Sequence, residues 1–173
     1  MQRSALVVGV VALVAGFVCL DGQAALAQRG QAAQAAAKTD PFAGTWVLNR
    51  VKSEFSGAVP EKRKTIFEIT ADGSVKHITE TVIANGSTDR VEYASKYDGK
   101  DVTISNSFLW TVSVKRIDAR TTERTGKVNG EVVETSKRVV SADGQTLTIT
   151  TSGTNSGTEY SSTQVFTRDK TGT

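Results

Sequence analysis

From Asp40 to Arg168 the side chains alternate with a period of two, and the alternating runs are separated by dipeptides that build tight reverse turns. No other feature constrains the fold as strongly. Phe108, Trp110, Val112 and Val114 share one side of a run while Leu109, Thr111, Ser113 and Lys115 share the other, so one face seeks an interior and the other seeks water. Val91, Tyr93, Ser95 and Tyr97 stand in the same relation to Arg90, Glu92 and Lys96. Asp72-Gly73, Asn85-Gly86, Asp98-Gly99, Asn129-Gly130 and Asp143-Gly144 lie between such runs, where glycine supplies the positive φ of a hairpin turn. The pattern predicts an all-β chain of about eight to ten antiparallel strands over residues 44–49, 66–70, 75–84, 90–97, 109–117, 121–128, 131–140, 145–151 and 158–168. Pro41 and Pro60 fall outside these runs, as ladder hydrogen bonding requires.

A long meander with one apolar face must cover its edges, and with hairpin-length connections the simplest closure is an up-and-down barrel. A sandwich with Greek-key crossovers is the rival, but only Val51 to Lys64 offers a longer connection. The last run places Tyr160, Ser162, Gln164, Phe166 and Arg168 against Ser161, Thr163, Val165 and Thr167, so neither face is wholly apolar. Such a mixed inner face suits a wet cavity.

Composition excludes several functions. Lys+Arg 21 against Asp+Glu 18 gives a net charge of +3, far from the concentrated basic face that nucleic-acid binding needs. One His and one Cys leave no material for a His/Cys metal cage.

Met1-Gln2-Arg3, the apolar stretch Ala5 to Leu20 and the small residues of Ala25-Leu26-Ala27 read as a signal peptide over residues 1–27. The stretch is shorter than the roughly 20 residues a membrane-spanning helix needs. Cleavage removes Cys19 and leaves a chain without thiols, suited to an oxidising compartment, periplasmic or secreted, with no stable membrane insertion. Residues 28–39 read as a disordered Ala/Gln-rich linker, and residues 40–170 as the barrel domain.

Few residues suggest chemistry. His77 stands without a second His and reads as an exposed or satisfied strand residue, with general base or metal ligand as the alternative. Asp98 with Asp101, and Glu131 with Glu134, flank hairpins and read as turn formers and solubilisers rather than a carboxylate pair for hydrolysis. Asn85-Gly86-Ser87 matches a glycosylation sequon but is first a tight turn. Lys62-Arg63-Lys64 reads as a solvated strand entrance. Trp46 reads as a plug at a closed end; Trp110 is open between core and ligand contact.

Ala43-Gly44-Thr45-Trp46 resembles the G-x-W opening of the calycin barrels, the group of lipocalins, fatty-acid-binding proteins and avidins. Lys127 to Glu131, Lys137 to Val140 and Asp143-Gly144-Gln145 are similar to the closing hairpins of fatty-acid-binding barrels. Gly44 to Asn49 with Lys52-Ser53 and Phe55, then Tyr97-Asp98-Gly99-Lys100, resembles small secreted bacterial proteins described as lipocalin-like. The resemblance implies a barrel in which Arg138 matches one arginine of the carboxylate clamp. Gln164 and Phe166 stand where fatty-acid binders carry the clamp's other Arg and its Tyr, and Val51 to Arg63 is too short and too broken by Gly57 and Pro60 for their helical lid.

Together these readings predict an exported, non-catalytic protein holding a small amphipathic or hydrophobic molecule among Trp110, Tyr93, Tyr97 and Phe166, with Arg138 and Gln164 as polar anchors and no cofactor, metal or nucleic acid. The alternatives are an interaction or inhibitor module with a filled barrel, and a weak isomerase or cyclase. In the strand at residues 131–140 either face can be inward, and if Val132, Glu134, Ser136, Arg138 and Val140 point in, Glu134 stands ready to neutralise Arg138. Cleavage after Ala27 is testable: intact-mass measurement of exported protein should place the N-terminus at Gln28, and a membrane-bound species retaining residues 1–27 contradicts the assignment.

Overall fold

The computed structural model describes residues 40–105 and 110–170; the signal-peptide and linker readings, and the Phe108 and Leu109 positions, lie outside them. The strands are β1 (Gly44–Leu48), β2 (Glu54–Phe55), β3 (Lys62–Ile69), β4 (Val75–Val82), β5 (Thr88–Ser95), β6 (Asp98–Thr103), β7 (Trp110–Asp118), β8 (Thr121–Val128), β9 (Glu131–Val140), β10 (Thr146–Asn155) and β11 (Thr158–Arg168), with one 3₁₀ turn at Arg50–Lys52. They form one antiparallel sheet in the order β5-β4-β3-β1-β11-β10-β9-β8-β7-β6, and β2 extends the first strand's pairing along β11. With β1 joined to β11, the sheet runs unbroken from β5 to β6 and curls into a nearly closed up-and-down barrel. The remaining seam lies between β5 and β6, where Ser105 N donates to Glu92 O at 2.7 Å and Glu92 N to Ser105 Oγ at 3.0 Å.

The hairpins follow the turn chemistry. At Asn129-Gly130 both residues take positive φ, 52° and 85°, so the turn's twist matches that of β8 and β9. Strand β6 was not legible as a strand: apart from Val102 it is exposed and polar, and it holds its place through a bulged ladder with β7. Strand β3 begins earlier than the apolar pattern suggests, so Lys62-Arg63-Lys64 belongs to the ladder rather than to a solvated entrance. Lys64 faces out and pairs with Glu80 at 3.0 Å, while Arg63, one residue away, points into the barrel.

At one end the interior is packed solid by Phe42, Trp46, Phe67, Val75, Val140, Leu147 and Phe166. Trp46 is fully buried and its indole N–H donates to Phe42 O at 2.8 Å. Arg168, opposite Trp46 in the β1–β11 register, stacks its guanidinium 4.1 Å from the indole. The same guanidinium donates to Gly144 O, Ala43 O and Pro41 O at 2.6 to 2.7 Å, so one side chain binds the residues preceding β1 and the β9–β10 turn. Gly44 has φ +117°, and a Cβ there would stand 2.8 Å from Arg168 Nη1. The glycine two residues before Trp46 thus has a cause in conformation and in space.

Trp46→Ala should therefore cost about 3–5 kcal/mol of stability, the range for emptying a large buried aromatic site. Equilibrium denaturation measures it. A loss below about 1 kcal/mol contradicts the plug.

Candidate functional site

Above the packed base the strands diverge around a cavity of about 700 Å³, which reaches the end of the barrel carrying the Ser56–Glu61 connection and the β10–β11 hairpin. Its walls come from alternate residues of β3, β4, β5, β8, β9, β10 and β11, so the ladder that sets each strand's pleat also aims each side chain. Phe55, Ala58, Pro60, Val91, Ile149 and Phe166 give apolar surface, while Thr65, Thr79, Thr81, Ser136, Thr151 and Ser162 line the rest with hydroxyls.

Three guanidiniums enter this space. Arg138 is 4% exposed, and its Nη2 donates to the Tyr93 hydroxyl at 2.9 Å. Arg63 donates through Nη1 to Gln164 Oε1 at 2.6 Å and through Nε to Thr81 Oγ1 at 3.1 Å. Burial lowers its pKa from the ordinary guanidinium value, against the opposing pull of Glu134 and Asp89, and the guanidinium's intrinsic basicity keeps it a cation. Arg124 forms an ion pair with Glu134, whose other oxygen accepts from the Tyr160 hydroxyl at 2.6 Å. Burial and that hydrogen bond push the Tyr160 phenol up, so it stays a donor.

Glu134 is thus no solubiliser, as its place beside a hairpin suggested; it is half-buried within the barrel wall. It faces inward with Ser136, Arg138 and Val140, yet its partner is Arg124, its diagonal neighbour in the β8–β9 pairing, where Arg124 stands opposite Ser136 and Glu134 opposite Gly126. Arg138 is left without a carboxylate. His77 is neither exposed nor satisfied: it is buried between Phe67 and Tyr93, each ring centroid 4.8 Å away, and its Nδ1 has no hydrogen-bond partner. Burial, then Arg138 and Arg124, hold its pKa well below 6.5.

Of the ligand contacts expected from the sequence, Arg138, Tyr93, Gln164 and Phe166 line the cavity. Tyr97 does not, because β5 ends at Ser95 and Tyr97 lies in the bend that follows, at φ 57°, beyond the end of the strand that carries Tyr93. There its ring sits 6.3 Å from Phe42 and under the Arg116 guanidinium at 4.3 Å, at the packed base. Trp110 is not among the lining residues either; its ring closes on Gly126, 3.6 Å from the place a Cβ would occupy. Arg63, His77 and Arg124 were missed, although alternation from Thr65, from Val75 and from Thr122 would have turned each inward.

The neutral state of His77 has a measurable consequence. Unfolded, it titrates near 6.5; folded, it titrates well below, so under pH 6.5 the unfolded chain binds the extra proton and stability falls with pH. It is the chain's one His, so between pH 6.5 and about 5 the loss, at most about 1.4 kcal/mol per pH unit, should vanish in His77→Gln. Denaturant melts across that window giving the same slope for both proteins would contradict the assignment.

No family model matches the chain, and no curated protein matches it in sequence. Solved structures do. A variant of the fluorescent protein UnaG is 13% identical with a TM-score of 0.52, covering 75% of this chain and 96% of its own. As-p18, an extracellular fatty acid binding protein, is 15% identical over 75% of this chain and 97% of its own, with a TM-score of 0.46. The ileal bile acid-binding protein of zebrafish, complexed with cholic acid, is 10% identical over 75% and 99%, with a TM-score of 0.44. Strand order, closure and the UnaG likeness agree, and the chain has the fold of UnaG, an up-and-down antiparallel β-barrel.

Proposed function

We propose that the protein is an exported, non-catalytic binding protein that takes a small amphipathic molecule into its barrel, with the molecule's anionic end on Arg138. The observation that carries this reading is the charge inside the cavity. Arg63, Arg124 and Arg138 face one inward carboxylate, Glu134, while Asp89 and Glu159 line the mouth in exposed positions. An excess of buried positive charge is costly unless an anion answers it. The apolar side chains beside these arginines supply surface for the rest of the molecule. Export rests on the Met1 to Ala27 pattern.

Against an enzyme stands the lack of an activated nucleophile at the one imidazole. Thr79 Oγ1 is 3.5 Å from His77 Nε2, outside the about 2.6–3.2 Å of a nucleophile and its base. Against a filled barrel used only for protein contacts stands the cavity volume itself.

The test is titration of an anionic fluorescent amphiphile into the wild type and Arg138→Gln, with folding checked by circular dichroism. Loss of the charge-assisted contact should weaken binding by about 2 kcal/mol, roughly 30-fold. Equal affinity in the two proteins removes Arg138 from the site, and no binding to the wild type overturns the reading.

A further inference from the structure

We propose that Arg63 is a second anion anchor and that the molecule held in this barrel is a dianion, bound through both Arg63 and Arg138. This rests on the reading of the cavity as a ligand site and specifies what that site accepts.

The three interior arginines differ in their partners. Arg124 is answered by Glu134, and the two form a closed unit with Tyr160. Arg63 and Arg138 are held only by neutral groups, the Gln164 amide and Thr81 hydroxyl for one and the Tyr93 hydroxyl for the other. Among the described residues, no carboxylate lies within ion-pair distance of either. A neutral acceptor fixes a guanidinium's orientation without cancelling its charge. The bonds to these acceptors engage Nε and Nη1 of Arg63 and Nη2 of Arg138, which leaves Nη2 of the first and Nε and Nη1 of the second for a ligand, and Arg138 Nε is buried without a hydrogen-bond partner.

Strand register places the two groups at one level of the barrel. Arg138, Ile149 and Gln164 stand side by side on β9, β10 and β11, all three lining the cavity. The Arg63 guanidinium arrives at Gln164 from β3. Two cations without an ion-pair partner therefore reach the level of Ile149, one from β9 and the other by way of Gln164 on β11, strands whose backbones lie about 10 Å apart. A single carboxylate neutralises one of them; two anionic groups, or one doubly charged headgroup, neutralise both.

The sign of the second charge's effect is decisive, because a cavity with one anchor penalises it through desolvation whereas a cavity with two rewards it. Calorimetric titration of the exported protein at neutral pH would compare dodecanoate, dodecanedioate and dodecyl phosphate, whose second phosphate ionisation lies near pH 6. At least one dianion should bind tenfold or more tighter than dodecanoate. Preference for dodecanedioate means separate anchors, and preference for dodecyl phosphate means that the arginines meet on one headgroup; either supports the proposal. Arg63→Gln should bring the dianion's affinity to that of dodecanoate, and Arg63→Lys should keep part of the advantage. Wild-type binding of dodecanoate as tight as both dianions overturns the proposal whatever the variants do, and so does an advantage unchanged in a folded Arg63→Gln. Those results leave the cavity a site for a monoanion, whereas failure of all three compounds to bind overturns the ligand-site reading as well.

Discussion

The stack of the Arg168 guanidinium on Trp46 braces the pairing of β1 with β11, where the first and last strands of the barrel meet. Its cation lies on the face of the largest aromatic ring, and its remaining donors hold three carbonyls that the barrel's closure leaves at the base. Without that closure β1 and β11 would be bare edges, and neither the packed end nor the open end would have walls. Glycine at position 44 suits the same contact, since its φ of +117° strains any other residue and a Cβ there would crowd the guanidinium.

The barrel uses each strand twice. Toward the base, Val75, Val140 and Phe166 fill the interior; two residues further along the same faces, His77, Arg138 and Gln164 line the cavity. This spacing matters for the charges above. An arginine whose neighbours on both sides are paired into the ladder cannot swing out to water by moving the backbone, so its position is fixed by the same hydrogen bonds that stabilise the fold. The Arg124–Glu134–Tyr160 unit stiffens the wall between β8 and β11 near the mouth, where β9 bulges away from β8.

Much of this was legible from the chain alone, and the failures share one cause. Alternation tells which face a residue takes and says nothing of its height along the barrel axis. Tyr97 was assigned the right face and the wrong level, and it ended in the base beside Phe42. Charge misled in the opposite sense. Arg63 between two lysines, and Glu134 beside a hairpin, look like solvated residues, because a single sequence does not distinguish a charge aimed at water from one aimed into a cavity. Strand β6 carries almost no apolar signal and exists because β7 offers it a ladder, which is tertiary context overriding local pattern. Arg138, Tyr93, Gln164 and Phe166 reach the cavity wall because they alternate with well-behaved neighbours on long strands.

Position along the axis also governs how the barrel meets its surroundings. Asp40 is paired with Arg116 near Tyr97, and Asp169 donates its N–H to Thr45 O, so the described chain begins and ends at the packed base. The mouth is at the opposite pole. Both described ends therefore meet the barrel at its floor, on the side away from the opening.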